Sequence, residues 1–202
     1  MRLIARIIKY SLYIIWWFLN RWRYKKLGIN SYIDRPLKVS GSKDIIIGNN
    51  VFIGYKTWIA SIPISITSGS ILQIGDGANI GHFNHIYATH KIIIGNNVLT
   101  ADKVYISDNI HGFDNVTLPI KNQPIQQKND VYIGDGSWLG ENVCVIGARI
   151  GRNCVIGANS VVTRNIPDYC VAVGAPAKII KRYNYEINQW EKTKPDGSFI
   201  NQ

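Results

Sequence analysis

Cysteine is scarce in this chain, with three residues in 202, at positions 144, 154 and 170. An odd and low count argues against a secreted disulfide scaffold and fits a reducing compartment. Acidic residues are also few: 13 against 23 Lys plus Arg, for a net charge of +10. The first 30 residues have none, yet they carry Arg2, Arg6, Lys9, Arg21, Arg23, Lys25 and Lys26. Long apolar runs are missing there too. The uncharged stretch over 10–20 has eleven residues, short of the ~20 that span a bilayer as a helix. Asn20-Arg21-Trp22-Arg23 follows it instead of the small-residue site at which a secretory signal is cleaved. The remaining 172 residues carry only +3 and no recognised nucleic-acid motif, so nucleic acid is not an expected partner.

The composition is otherwise that of a folded chain, 46% apolar and 18% charged, with 35 Ile and 18 Gly, and its length suits one domain. Near the N-terminus, Arg2, Arg6, Lys9 and Tyr13 fall on one helical face, while Leu3, Ile7, Ile14 and Phe18 lie away from it. Trp16, Trp17 and Trp22 suit the headgroup boundary. Residues 1–26 are therefore expected to form an amphipathic helix lying on an anionic membrane surface; packing on the chain's own domain or at a subunit contact is the alternative.

From there on the chain is periodic. Triplets with six-residue spacing occur at 27/33/39, 47/53/59, 74/80/86, 94/100/106, 133/139/145 and 150/156/162. Of these 18 positions, 17 are Ile, Leu or Val, whereas those types make up 57 of 202 residues. Only Thr100 departs. The following residue is Gly in ten cases and Ala or Ser in four, as sharp corners require. The pattern predicts an all-β solenoid of about six triangular coils over 27–166, each coil built from three short strands. A sandwich or barrel would not hold triplets in one fixed phase.

Steps between triplets are irregular: 8, 15, 8, 27 and 5 residues. Every departure falls at the third corner, so insertions project from one edge. The largest is the loop 112–130, with Pro119 and Pro124. Loops positioned by a rigid scaffold commonly carry function. His111 stands at the root of that loop, in Ile106-Ser-Asp-Asn-Ile-His111-Gly112. A neutral imidazole there is a candidate general base near pH 7.

The block Val98–His111 resembles the segment that holds the catalytic His of galactoside and maltose O-acetyltransferases. The run Val131-Tyr-Ile-Gly-Asp-Gly-Ser-Trp138-Leu-Gly-Glu-Asn-Val143 is similar to their next coil. Val155-Ile-Gly-Ala158-Asn-Ser-Val-Val-Thr163-Arg164-Asn-Ile-Pro167 and Gly174-Ala-Pro-Ala-Lys178-Ile-Ile-Lys181 are similar to their last coil and cap. The resemblance covers roughly 40–182. Over the whole chain it looks closest to the O-antigen and capsule O-acetyltransferases of the hexapeptide-repeat family.

The resemblance implies a left-handed parallel β-helix, a homotrimer with acetyl-CoA in grooves between subunits, and acetyl transfer to a sugar hydroxyl with no metal. The acceptor would be a surface polysaccharide or its lipid-linked precursor, at the inner face of a bacterial cytoplasmic membrane. His111 would be the base. Trp138, Gly140, Ala158 and Thr163 would lie along the acetyl-CoA arm, Trp138 having outer-face packing as its alternative. Arg164, Lys178 and Lys181 would meet CoA phosphates or simply be solvated. His85 shares a coil position with Trp58 and Tyr105, an outward ladder for the sugar or for subunit packing. Asn84 would face the acceptor or plug a corner. Residues 167–202 would form a cap with a short helix and tail. Residues 145–150 are one residue shorter than the family pattern, which leaves open how Trp138 aligns with Ala158. A small-sugar or drug acetyltransferase of the same fold is a rival. So is a zinc enzyme of the carbonic anhydrase type, on the five-residue separation of His85 and His90; the third His that family uses is missing, and its place falls at Asn49.

Overall fold

The computed structural model describes residues 13–65 and 69–200. Three parallel sheets form the sides of a prism. The first holds Lys26–Leu27, Ile45–Ile47, Ile71–Ile74, Lys91–Ile94, Val131–Ile133 and Arg149–Ile150. The second runs from Tyr32–Ile33 through Phe52–Ile53, Asn79–Ile80, Leu99–Thr100, Trp138–Leu139 and Val155–Ile156 to Cys170–Val173. The third holds Lys38–Ser40, Trp58–Ser61, His85–Ala88, Tyr105–Ser107, Cys144–Ile146 and Val161–Val162.

The six-residue triplets stack in the register that the sequence predicts. Ile47 pairs with Ile74, Ile74 with Ile94, Ile94 with Ile133 and Ile133 with Ile150. Seventeen of the 18 positions are buried; Val39, in the first coil, is half-buried. Each fully buried Ile contributes about 1.5–3 kcal/mol relative to exposure, so the column is the main stabilising element. A second inward row lies two residues earlier, as strand alternation requires. It includes Ile45, Leu72, Ile92 and Val131, but also Ser31, Thr57, Asn84, Ser137 and Ser160. Its hydroxyls tie coils together: Ser31 Oγ donates to Gly48 O at 2.6 Å, and Ser137 Oγ to Gly151 O at 2.8 Å. Corners pass through left-handed backbone at Asn50, Asn97 and Asn153, with Gly77 and Gly136 in the same role.

Both ends depart from expectation. No C-terminal helix forms among the described residues: Lys178–Asn184 folds back antiparallel on Cys170–Val173, and Gln189–Lys192 pairs with it in turn. The segment Lys178-Ile-Ile-Lys-Arg-Tyr-Asn184 is β-branched and aromatic, which suits a strand. Tyr183 and Trp190 pack edge-on at 5.6 Å, and Ile179 closes the core.

At the N-terminus, the basic positions Arg2, Arg6 and Lys9 lie outside the described residues. Residues 13–20 are helical, followed by a tight turn over Arg21–Arg23. Trp16 and Trp17 do not face outward as expected. Trp17 Nε1 donates to Gly28 O at 2.7 Å, both rings pack against the core, and Tyr13 stacks on Tyr32 at 4.0 Å. The helix thereby covers the first coil. Its other face exposes Ile14, Ile15, Phe18 and Leu19, and Trp22, 70% exposed, continues that surface. No helix among the described residues is long and apolar enough to cross a membrane.

Candidate functional site

The long insertion leaves the third sheet after Ser107 and opens with an antiparallel hairpin. Asn109–His111 pairs with Ile125–Gln127, His111 standing opposite Ile125. His111 is exposed. Asp108, which is fully buried, fixes the root of this hairpin. Its carboxylate accepts from the backbone N–H groups of Thr89, His90 and Lys91 at 2.7–2.8 Å, and from Asn109 Nδ2 at 3.2 Å. The Thr89 hydroxyl lies 2.8 Å from both Asp108 Oδ1 and Gln127 Oε1. Gln127 Nε2 and the Lys128 N–H close on Asp108 O. Burial pushes the Asp108 carboxyl up, but the hydrogen bonds from Thr89, His90 and Asn109 outweigh it and hold the group below its ordinary value. Sequence reasoning missed Asp108, whose carboxylate partners Thr89, His90 and Lys91 come from the preceding coil.

Trp58, His85 and Tyr105 occupy one outward row of the third sheet. Trp58 and His85 stack at 4.3 Å, and Tyr105 meets His85 edge-on at 5.3 Å. Tyr87, two residues nearer the hairpin edge, packs against both Trp58 and His85. Trp58 Nε1 and His85 Nε2 are buried without a hydrogen-bond partner, a costly arrangement for polar groups unless something else satisfies them. Burial also lowers the His85 pKa.

Asn84 does not reach this surface. It is buried in the prism, with Nδ2 donating to Thr100 Oγ1 at 3.0 Å and Ala101 O at 3.1 Å, and Oδ1 accepting from Val104 N at 2.5 Å. Its carboxamide is consumed inside the fold, so the corner-plug reading replaces acceptor contact. The same bonds account for Thr100 at an aliphatic position.

The positions expected along the donor fall into two groups within one chain. Trp138 is exposed on the second sheet, and its row continues through Val155 and Val171 to Lys181. Gly140 donates to Ile156 O at 2.8 Å, and a Cβ there would meet Ala158 N at 2.7 Å, so Gly140 and Ala158 form one corner. The short step does not disturb this register, because Gly147, at positive φ, absorbs it at the third corner. Thr163 and Arg164 lie instead at that third corner. Arg164 and Lys178 line a cleft of about 500 Å³ with Pro176 and Ala177, which Thr163 and Lys181 do not. Asn165 belongs both to this cleft and to a second one of about 610 Å³ under the hairpin.

The remaining chemistry-bearing groups fall in place around these. Burial pushes the Cys154 thiol up and raises Cys170 to about 11, so neither is a ready thiolate. His85 and His90 do not act together: His85 is held in the aromatic row, while His90 Nδ1 pairs with Asp130 at 2.6 Å.

A family described as "Hexapeptide repeat of succinyl-transferase" matches residues 130–164. An Escherichia coli K12 protein named as a lipopolysaccharide biosynthesis O-acetyl transferase, WbbJ, is 40% identical over 78% of this chain and 81% of its own. A Mycobacterium tuberculosis protein named as an acetyltransferase is 37% identical over 89% of this chain, which spans 61% of that protein's length. A hexapeptide-repeat acetyltransferase of Vibrio cholerae, solved with acetyl coenzyme A, superposes with a TM-score of 0.56 at 23% identity, over 83% of this chain and 76% of its own. The fold is the left-handed parallel β-helix of such proteins, and the chain belongs to the hexapeptide-repeat acetyltransferase family.

Proposed function

We propose that this protein moves the acetyl group of acetyl-CoA to a sugar hydroxyl of a surface polysaccharide or of its lipid-linked precursor. The observation that carries the reading is His111, exposed on a hairpin whose root is anchored by a buried carboxylate. His111 takes the proton from the acceptor hydroxyl as that oxygen attacks the thioester carbonyl carbon. The C–S bond then breaks, and the CoA sulfur leaves with the proton returned by the imidazolium. General-base help of this kind contributes roughly 10²–10⁴-fold.

Arg164 and Lys178 suit the CoA phosphates, for which a planar guanidinium and an ammonium are both good partners. Trp138, Gly140 and Ala158 lie at the opposite border of the third sheet from His111. A site using both groups therefore draws them from neighbouring subunits, which favours a trimer with the donor between chains. Trp58, His85 and Tyr105 form the sugar platform, and a glycan hydroxyl would satisfy the buried His85 and Trp58 nitrogens.

The exposed Ile14, Ile15, Phe18, Leu19 and Trp22, beside Arg21, Arg23, Lys25 and Lys26, suit a peripheral contact with an anionic membrane. The similarity to a protein named for lipopolysaccharide biosynthesis supports a glycan acceptor. The direct test is purified protein with acetyl-CoA and sugar acceptors, following thiol release. The wild type is expected to turn over and His111→Ala to fall at least 100-fold; equal rates would remove His111 from the mechanism.

A further inference from the structure

The cleft under the hairpin holds a cluster that the reaction above does not use. His90 is fixed at its backbone by Asp108, 2.8 Å away, and at its side chain by Asp130, 2.6 Å away. Nε2 makes no hydrogen bond among the described residues. The other Asp130 oxygen lies 3.4 Å from the Tyr132 hydroxyl. Arg149, one rung further, lays its guanidinium 4.3 Å from the centre of the Tyr132 ring. Lys128 directly follows the returning strand of the hairpin, and His90, Lys128 and Arg149, with Asp130, line about 610 Å³ of open space.

The charges in this cleft do not balance. Asp130 is the one carboxylate lining it among the described residues, and His90 already engages it. Lys128 and Arg149 make no ion pair and no side-chain hydrogen bond among the described residues. Contact with the Tyr132 ring holds the guanidinium 4.3 Å from the ring centre, and its N–H groups donate no hydrogen bond among the described residues. Such a fork recognises a carboxylate or phosphate by two parallel hydrogen bonds, and an adjacent ammonium adds charge.

We propose that this cleft binds an anionic group, a carboxylate or a phosphate, carried by the acceptor glycan. The proposal rests on acetyl transfer to a glycan and names the kind of glycan: one with a carboxylate or phosphate on the sugar that is acetylated. Phosphate could also come from CoA, but Arg164 and Lys178 line their own cleft, joined to this one only through Asn165. The acceptor is therefore the assigned source, and the experiment separates the two.

Steady-state rates are measured for wild type, Arg149→Gln, Arg149→Lys and Lys128→Gln. The acceptors are methyl glucoside and methyl galactoside, the corresponding methyl uronides, and the hexose 1-phosphates. Wild type should favour the charged acceptors. Arg149→Gln should lose at least ten-fold more kcat/KM on charged than on neutral acceptors, through KM, and Arg149→Lys should fall between. Equal losses on both classes would overturn the proposal. So would a rise in the KM for acetyl-CoA, which would give the cleft to the donor. Absence of transfer to every sugar counts against the proposed function and not against the cleft. In that event calorimetric titration with methyl glucuronide and inorganic phosphate decides: binding lost in Arg149→Gln supports the subsite, and wild type and variant behaving alike refutes it.

Discussion

Asp108 accepts from three backbone amides and two side chains at the point where the hairpin leaves the solenoid. Asp108→Ala leaves those donors unpaired in a buried site and should cost on the order of 3 kcal/mol, read as a lower thermal midpoint. Activity should fall as well, because His111 loses its anchor. The folded Asp108 carboxyl titrates below its unfolded value of 3.8, so its stabilisation is complete above that pH and is lost as pH falls through the folded value. Protection of the hairpin amides, taken relative to their intrinsic exchange rates, should therefore fall below about pH 4 in wild type, and show no such change in Asp108→Asn. His85 has the same sign at higher pH. Burial lowers its folded pKa from 6.5, so the unfolded chain binds more protons as pH drops below that value and stability declines. His85→Phe should flatten that decline in a plot of thermal midpoint against pH; an unchanged slope would mean that another group causes it. At this scale the sequence was only partly legible. His111 stood out because it sits beside the one long interruption. Asp108 and Asp130 did not, because their partners arrive from other coils, 17–19 and 40 residues away.

The six-residue phase carries the elements. Its aliphatic column could be read because nearly every member is Ile, Leu or Val. The second inward row could not, because Ser, Thr, Asn, Ala and Cys dilute it. Its corner hydroxyls matter all the same. Ser137→Ala removes a donor to Gly151 O and an acceptor for Cys154 N, and should cost about 1–3 kcal/mol. The C-terminal cap was misread as a helix. Its last segment is short, and pairing with Cys170–Val173 is available only once the coil below has formed. In the N-terminal helix, Trp16 and Trp17 were expected at lipid headgroups and are turned inward instead. Trp16 and Trp17 pack on the first coil, while the aliphatic face stays open. Replacing Ile14, Phe18, Leu19 and Trp22 together by Ser should abolish retention on vesicles containing anionic lipid while leaving the fold intact. Retention equal to wild type would remove the membrane from the proposal.

At the level of the whole molecule, the site groups sit at two borders of one sheet. His111, Arg164 and Lys178 mark the third corner, and Trp138, Gly140 and Ala158 lie on the other side. The proposed trimer would bring these borders together between chains, so light scattering should give three times the 22.8 kDa chain mass. A monomer with full activity would require the donor to lie within one chain. The initial charge of +10 also divides by place. Arg21, Arg23, Lys25 and Lys26 follow the exposed apolar helix, while Arg164, Lys178, Lys128 and Arg149 line the two joined clefts. The most direct measurement is mass spectrometry of the surface glycan from cells carrying the wild-type protein, none, or His111→Ala. Wild type should show an acetyl mass increment that is missing from the other two. An increment retained with His111→Ala, or unchanged without the protein, would contradict His111-dependent acetylation of a glycan.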